Sequence, residues 1–293
     1  MPDRRDRFEA LLARPWVLLD GGLGTTLIAG GLPVGQAPER WVVERPDRVA
    51  AAHRAFVEAG SDVVQAATFG ANPVRLAACG LEGRCREINL AAVRLAREAA
   101  GPGVLVAGDV GPTGAPPAPE VWEAAFREQC DALAEAGADL VSVETFWDAR
   151  EAVAAVRAAA AAGLPVLASM TFEERRGRFV THVGDPLGAS LRALRDAGAV
   201  AVGMNCGVRA DVMAGMVREA VVEVEVPVVA QPNAGLPRAL PGGGFAYDET
   251  PGAFARGAVA LARAGARVLG GCCGADAAFI RAARAALVEA SQA

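Results

Sequence analysis

The sequence lacks the features that mark membrane, exported or nucleic-acid-binding proteins. It has no run of about 18 apolar residues, the length that a membrane-spanning helix needs. Residues 1–7 are rich in charge and precede only a short apolar stretch, unlike a secretory signal. The net charge of -5 gives no indication of binding to nucleic acid or to an anionic membrane surface. We therefore expect a cytoplasmic protein.

Histidine and tyrosine are scarce, and this removes several kinds of active site. With 2 histidines and 1 tyrosine, the chain shows no Ser/His/Asp arrangement and few of the ligands that zinc hydrolases favour. We expect His53 and His182 to be hydrogen-bonded or surface side chains rather than ligands. The 6 cysteines, in a chain without an export signal, are expected to be thiols or metal ligands. Three of them, Cys79, Cys85 and Cys130, lie on or beside predicted helices and are interpreted as packing residues.

Eight short apolar runs recur along the chain, each followed by a loop and a helix-forming stretch rich in Ala, Leu and Arg. We predict strands at residues 17–20, 62–66, 104–108, 140–144, 165–170, 200–204, 227–231 and 267–270. The predicted helices are residues 47–59, 85–100, 119–137, 148–162, 187–197, 210–222, 250–264 and 276–290. Strands that alternate with helices pair in parallel, so 293 residues with this pattern favour an α/β fold, a single (β/α)8 TIM barrel over residues 1–293. An open doubly wound sheet is the alternative, although no Gly-x-Gly-x-x-Gly fingerprint follows the first strand.

Polar side chains follow every predicted strand. In chain order these are Asp20, Thr68, Asp109, Glu144, Thr171, Asn205 with Cys206, Asn233, and Cys272 with Cys273. The opposite strand ends offer mostly Gly, Ala and Pro. Active sites of this fold lie at the carboxyl ends of the strands, so these side chains are predicted to surround one pocket. Asp109 also has a plainer interpretation, as the cap of the turn at residues 111–113.

Cys272 and Cys273 are adjacent and lie between glycines, directly after the last predicted strand. Neighbouring side chains of a strand point to opposite faces, so the chain must turn sharply to bring both sulfurs together, and flanking glycines permit this. A disulfide between neighbours would be strained. With Cys206, which also follows an apolar run, the pair offers three thiolates to a tetrahedral zinc ion. Three ligands leave one position open, which is the pattern of a catalytic zinc site.

Six short motifs follow the predicted strands and occur together in one known family. They are Asp20-Gly21-Gly22-Leu23-Gly24-Thr25, Ala67-Thr68-Phe69, Glu144-Thr145-Phe146, Asn205-Cys206, Gln231-Pro232-Asn233-Ala234-Gly235 and Gly270-Gly271-Cys272-Cys273-Gly274. Over essentially its whole length the chain resembles the zinc-dependent homocysteine S-methyltransferases. These include the homocysteine-binding module of cobalamin-dependent methionine synthase, the betaine enzyme and the S-methylmethionine enzymes. The resemblance implies a barrel with one zinc ion on Cys206, Cys272 and Cys273, homocysteine sulfur as the fourth ligand, and no tightly bound organic cofactor.

The resemblance also implies contacts for the rest of the substrate. The implied substrate-binding residues are Asp20, Gly21, Gly22, Thr68, Glu144 and Asn233. Glu144 is expected to bind the α-amino group, and the first three residues to fix the amino acid through side-chain and backbone contacts. Thr68 is a further candidate at the carboxylate, and the amide oxygen of Asn233 is placed to fill the open zinc position before substrate binds. No protein nucleophile or general base is required, because zinc deprotonates a bound thiol.

The sequence leaves the methyl donor open. Residues 65–69 read Gln-Ala-Ala-Thr-Phe where many relatives carry a Glu and an Asn, and the betaine branch has tyrosines in the neighbourhoods of Gly70 and Phe146. Trp41 and Trp147 are the remaining candidates for an aromatic cage, so betaine is disfavoured. A sulfonium such as S-methylmethionine and a methyl-corrinoid on a partner protein are the two competing donors. The second is considered because the Pro-Asn-Ala-Gly element at residues 232–235 is similar to the methionine synthase module. We expect no folate or corrinoid domain in this chain, so the methyl-corrinoid is expected on a partner.

Two other functions stay open beside methyl transfer to homocysteine. One keeps the zinc but uses another small thiol or a selenol as acceptor. The other is a non-catalytic homocysteine- and zinc-binding subunit of a multiprotein methionine synthase. In each case we expect small-molecule substrates, a corrinoid protein as the candidate partner, and neither nucleic acid nor membrane. Residues 21–45, 171–185 and 233–248 are predicted to be long loops, the second of them a solvated loop or a mobile lid.

Overall fold

The computed structural model describes residues 4–240 and 244–292, in which eight parallel strands form a barrel. The strands are β1 (Val17–Leu18), β2 (Val63–Gln65), β3 (Leu105–Val110), β4 (Leu140–Phe146), β5 (Val166–Met170), β6 (Ala201–Asn205), β7 (Val228–Gln231) and β8 (Ala266–Leu269). Their order in the sheet is β1-β8-β7-β6-β5-β4-β3-β2. All eight predicted strands are present, and the (β/α)8 fold expected from the sequence is confirmed.

The sheet closes between β1 and β2 through hydrogen bonds to two aspartates. The backbone N–H of Asp62 donates to the Leu18 carbonyl at 2.7 Å, and the Leu18 N–H donates to Asp62 Oδ2 at 2.9 Å. At the carboxyl end of the seam, the Gln65 N–H donates to Asp20 Oδ2 at 2.9 Å. The aspartate that ends the first predicted strand therefore helps to close the barrel.

Twelve α-helices are found in the described ranges. They are α1 (Arg4–Leu12), α2 (Leu23–Ala29), α3 (Glu39–Glu44), α4 (Pro46–Ala59), α5 (Pro73–Ala78), α6 (Cys85–Ala100), α7 (Pro119–Ala136), α8 (Ala149–Ala161), α9 (Leu187–Asp196), α10 (Ala210–Glu223), α11 (Pro251–Ala264) and α12 (Ala277–Gln292). Eight of them match the predicted helices, whereas α1, α2, α3 and α5 were not expected. None of the helices described has the length and apolar content needed to cross a bilayer.

Two antiparallel hairpins extend from the carboxyl end of the barrel. One pairs Glu173–Arg175 with Arg178–Val180, and the other pairs Pro237–Ala239 with Phe245–Tyr247. The first turns through Arg176 and Gly177, whose φ angles are 53° and 74°, the left-handed pair that suits a two-residue hairpin turn. The predicted lid at residues 171–185 is therefore mostly a hairpin, and its mobility stays a prediction.

The barrel has an apolar interior that α1 covers from the amino end. Alternate strand residues point inward, and the inner cluster includes Val17, Leu105 and Val268. Phe8 of α1 is fully buried and belongs to this cluster. Outward-facing strand residues such as Val106 pack against the helices in a second cluster. The core therefore does not rely on the polar groups at the carboxyl end.

His53 is buried inside this framework without a hydrogen-bond partner, contrary to the expectation of a bonded or surface histidine. It lies on α4 with a relative exposure of 0%, and neither ring nitrogen has a partner in the described part of the chain. Burial alone lowers the pKa of His53 to about 4. Between this value and 6.5, the unfolded chain carries a proton on this ring that the folded chain does not.

We predict that this difference destabilises the fold as the pH falls from 6.5 towards 4, by up to about 3 kcal/mol. His53→Met removes the titrating group, so urea unfolding followed at several pH values should show a smaller loss of stability on acidification than in the wild type. His182→Met is the control for the substitution itself, because that side chain is 81% exposed. Equal slopes for His53→Met and the wild type would contradict the prediction.

Candidate metal centre and substrate pocket

The three predicted cysteine ligands meet at the carboxyl end of the barrel. Cys206 directly follows β6, and Cys272 and Cys273 lie in the turn after β8. Their sulfur atoms all lie within 4.8 Å of one another, and Cys206 Sγ and Cys273 Sγ are 3.8 Å apart. In the ranges described, they form the one group of three or more candidate ligands that converge in this way. The structure thus brings together residues that lie far apart in sequence.

The backbone around β7 holds the cysteines in place. The Cys206 N–H donates to the Gln231 carbonyl at 3.0 Å, and the Cys272 N–H donates to the Pro232 carbonyl at 2.8 Å. Cys206 has a φ of 63°, a left-handed conformation that costs a non-glycine residue free energy and is concentrated at functional sites. The strand end of β7 and this strained residue together aim the sulfurs at one point.

The sulfur spacing and charge fit a tetrahedral zinc ion. Zinc–sulfur bonds of about 2.3 Å at tetrahedral angles place two sulfurs about 3.8 Å apart, which matches the separation of Cys206 and Cys273. All three thiols are free. Hydrogen bonds from Cys206 and Cys272 lower the pKa of Cys273 to about 3, which favours its thiolate form. This donor set suits a soft cation such as zinc.

The loop after β1 packs directly against the cysteine turn, and this requires glycine. A Cβ on Gly21 would lie 2.0 Å from the Ala275 carbonyl oxygen, and one on Gly22 would lie 2.6 Å from the Cys272 carbonyl oxygen. The Gly22 N–H donates to the Ala275 oxygen at 2.9 Å. The Gly274 N–H donates to Thr25 Oγ1 at 3.1 Å, which ties the turn to the first helix of the loop. The Gly-Gly motif therefore positions the cysteines as well as lining the pocket.

A cavity of about 370 Å³ opens beside the sulfurs. Its polar and sulfur-bearing wall residues are Thr25, Glu39, Gln65, Asp109, Glu144, Thr145, Gln231, Cys206, Cys272 and Cys273. The other wall residues are small or apolar, and they include Gly21, Gly22, Leu23, Ile28, Pro38 and Phe69. The volume suits one or two small molecules, and the sulfurs open onto it.

Glu144 belongs to a chain of hydrogen-bonded side chains along the cavity wall. Gln65 Nε2 donates to Glu144 Oε2 at 2.8 Å and to Ser142 Oγ at 3.2 Å, and Gln231 Nε2 donates to Gln65 Oε1 at 3.0 Å. Burial raises the pKa of Glu144 to about 7, and the negative charge of Cys273 contributes to that rise. Gln65, a departure from the family pattern in sequence, thus orients the predicted amine-binding carboxylate.

Three of the predicted substrate residues lie behind the cavity wall. Asp20 is fully buried, and its Oδ2 accepts a hydrogen bond from the Gln65 N–H. Oδ1 of Asp20 has no partner among the described residues, and burial raises the pKa of Asp20 well above the usual range. Thr68 Oγ1 donates to the Asp109 carbonyl and accepts from the Asp109 N–H, both at 2.8 Å. Asn233 is buried with its Oδ1 unpartnered. Gly21, Gly22 and Glu144 belong to the wall itself.

Sequence reasoning gave no role to Asn205 beyond its place in a motif. Its Oδ1 accepts hydrogen bonds from the Thr145 N–H at 2.8 Å and from Ser169 Oγ at 2.9 Å, and its Nδ2 donates to Thr145 Oγ1 at 2.7 Å. Thr145 has a φ of 64°, again in the left-handed region. Asn205 therefore holds the residue next to Glu144 in a strained conformation, and its position directly before Cys206 was the available signal.

Asp109 and Glu39 also lie on the cavity wall. The strand pattern placed Asp109 at the pocket without a substrate role, and Glu39 was not expected there. The interpretation of Asp109 as a turn cap is wrong, because the Thr113 N–H donates to Glu151 Oε1 at 2.8 Å. Glu39 lies in the long first loop, where no strand end marked it. The two tryptophans considered for an aromatic cage lie elsewhere: Trp41 is buried outside the cavity, and Trp147 is 42% exposed.

Comparison with known proteins supports the family suggested by the motifs. The model of the family described as homocysteine S-methyltransferase matches residues 17–287. The chain belongs to this family.

Individual relatives agree with this assignment. Methionine synthase of Mycobacterium tuberculosis is 31% identical over 92% of this chain and 24% of its own length. Methionine synthase of Mycobacterium leprae is 30% identical over 97% of this chain and 25% of its own length. The chain thus spans about a quarter of these curated relatives. The metallated form of the homocysteine methyltransferase MmuM from Escherichia coli has a TM-score of 0.79 and 27% identity, and covers 94% of this chain and 98% of its own.

Proposed function

We propose that this chain is a zinc-dependent enzyme that transfers a methyl group from an activated donor to the thiol of L-homocysteine, giving methionine. The observation that carries the proposal is the cluster of three cysteine sulfurs, at zinc spacing, on the wall of a cavity that Glu144 also lines. We further propose that residues 1–293 act as one homocysteine-binding domain. Its cytoplasmic location stays a prediction from sequence.

Cys206, Cys272 and Cys273 would hold the zinc ion, consistent with the metallated form known for the MmuM relative. Bound zinc would supply a Lewis acid that keeps the substrate sulfur as a thiolate at neutral pH. The unpartnered Oδ1 of Asn233 supports its predicted role at the fourth position, since an orphaned buried oxygen costs free energy unless a ligand satisfies it.

The chain's own residues would then orient the amino acid. Glu144, held by Gln65, offers a carboxylate to the α-ammonium group, and the backbone of Gly21 and Gly22 offers a close approach to the rest of the substrate. Asp20 acts behind them by fixing the Gln65 backbone. Thr68 supports the end of β3 through Asp109, so we propose a structural role for it in place of a direct contact with the substrate carboxylate.

The donor and the acceptor need separate tests. Methionine formation by the zinc-loaded protein with homocysteine, compared between S-methyl-L-methionine and methylcobalamin, tests the proposed function. Turnover with the first donor indicates a self-sufficient enzyme, and turnover with the second alone indicates a module that works with a corrinoid protein. No methionine from either donor would contradict the proposal and favour a non-catalytic subunit. Competition by cysteine and selenohomocysteine would decide between homocysteine and another thiol or selenol acceptor.

A further inference from the structure

The cavity wall contains two carboxylates beyond the one assigned to homocysteine. Glu39 and Asp109 lie at the start of α3 and near the end of β3, and each lines the cavity. Phe69 and Pro38 lie on the same wall. No arginine or histidine lines the described part of the cavity, and the sequence contains no lysine. The wall therefore combines apolar side chains with acidic ones.

The side chain of Glu39 lies against the backbone of Gly70. It is 3% exposed, and its Oε1 accepts a hydrogen bond from the Gly70 N–H at 2.5 Å. A Cβ on Gly70 would lie 2.9 Å from that oxygen and 3.1 Å from Arg75 Nε, so a larger residue at position 70 would displace the carboxylate. The Glu39 carboxyl group therefore occupies the cavity wall beside Gly70.

Asp109 presents a second, less satisfied carboxylate. It is 8% exposed, and its Oδ1 has no hydrogen-bond partner in the described residues. Burial raises the pKa of Asp109 well above its usual range, and the charges of Glu144, Asp20 and Glu39 raise it further. The guanidinium of Arg75 lies 5.6 Å from the centre of the Phe69 ring. Its charge lowers the pKa of Glu39 less than burial raises it.

A buried acid without a partner destabilises the protein unless a ligand satisfies it. Homocysteine brings one positive charge, its α-ammonium group, and Glu144 accounts for that. The carboxyl groups of Glu39 and Asp109 would bind a cation in the cavity. The apolar side chains of Phe69, Leu23 and Ile28, on the same wall, would contact methyl or methylene groups of that ligand. A small sulfonium ion has both properties. With a single aromatic side chain on the described wall, a quaternary ammonium cage is not formed.

We propose that Glu39 and Asp109 form the subsite for a small cationic methyl donor, a sulfonium ion, and so determine donor specificity; this rests on the proposed function. In the reaction, the homocysteine thiolate uses an electron pair to form a new S–CH3 bond. The bond between the methyl carbon and the sulfonium sulfur breaks, and its electron pair stays on that sulfur as a neutral thioether. No proton, oxidant or reductant is needed.

The position of the charge predicts which kinetic constant changes. The donor is fully positive when it binds and loses charge along the reaction, so the carboxylates stabilise the bound donor at least as much as the transition state. Removing either charge should therefore raise the KM for the donor with little loss of kcat. A residue with a merely structural role would instead lower kcat, zinc content or thermal stability together.

The test compares Glu39→Gln, Asp109→Asn and the control Glu174→Gln, which removes a carboxylate from the exposed 173–180 hairpin. With S-methyl-L-methionine as donor, we expect about a 10- to 100-fold rise in KM for each of the first two variants. Zinc content, the KM for homocysteine and kcat should change less than about two-fold. An unchanged donor KM in Glu39→Gln and Asp109→Asn, or turnover with glycine betaine in preference to the sulfonium, would overturn the proposal.

A binding measurement separates this proposal from the proposed function. Calorimetry on the zinc-loaded wild type should show tighter binding of S-methyl-L-methionine than of 2-amino-5-methylhexanoic acid, its neutral carbon isostere, and the double variant should lose that preference. If no methionine forms but the preference is present, the catalytic function fails and the cation subsite stands. If methionine forms from methylcobalamin alone and the wild type shows no preference, the function stands and the cation subsite is wrong.

Discussion

Cys273→Ser is expected to lose most of its bound zinc and essentially all methyl transfer while the barrel stays folded. A serine hydroxyl is neutral and hard, so it replaces a thiolate ligand poorly at a three-sulfur site. The loss of activity should exceed the about 100-fold that removal of a supporting residue costs at metal sites. The fold should survive because both apolar clusters, inside the barrel and between strands and helices, exclude this residue. Metal analysis, circular dichroism and methionine formation measure the three effects.

Cys79→Ser is the matched control for this change. That thiol is free and half-buried after α5, away from the three-cysteine cluster, so the same substitution should leave zinc content and activity near wild type. A Cys273→Ser protein that keeps stoichiometric zinc and full activity would show that the three-thiolate site is wrong. A variant that fails to fold would show that the metal centre supports the barrel, contrary to the packing described above.

Glu144→Gln is expected to weaken homocysteine binding by about 10- to 100-fold, seen as a rise in the KM for homocysteine. The substitution removes the negative charge opposite the α-ammonium group but keeps a side chain that can still bond to Gln65. Zinc should stay bound, because the three sulfurs are untouched. Steady-state kinetics at fixed donor, with Glu174→Gln as the exposed control, measures the effect.

The same carboxylate predicts a pH dependence. Because burial raises the pKa of Glu144 to about 7, its protonated form predominates below that pH and cannot pair with an ammonium group. The kcat/KM for homocysteine should therefore rise with pH towards a plateau above about 7, and Glu144→Gln should remove that step. An unchanged KM for homocysteine in Glu144→Gln would contradict the role given to Glu144. The same rise of kcat/KM with pH in the variant and the wild type would contradict it too.

The sequence was informative wherever a residue is fixed by the strand pattern. A polar or sulfur-bearing residue at the end of a parallel strand must lie at the carboxyl rim of the barrel, so the convergence of Cys206 with Cys272 and Cys273 could be predicted without coordinates. The ends of several helices could be predicted equally well. Gly60, Gly137 and Gly265, all with positive φ, end three of them at the expected places.

Sequence was less informative where a residue's role depends on how a loop folds back. Glu39 lies in the long first loop, and only the packing of α3 shows that its carboxylate meets Gly70. Thr68 follows a strand like the true wall residues, yet its hydroxyl turns to the Asp109 backbone and away from the cavity. Rim position could be predicted from strand ends, but the direction of each side chain could not.

The most direct test of the zinc-thiolate account is X-ray absorption at the zinc edge, with and without selenohomocysteine. The account predicts three sulfur neighbours and one lighter atom on zinc in the free protein. After selenohomocysteine is added, it predicts three sulfurs and one selenium, with the lighter atom displaced. Fewer than three sulfur neighbours in the free protein, or no selenium neighbour after addition, would contradict a site that binds homocysteine through its sulfur.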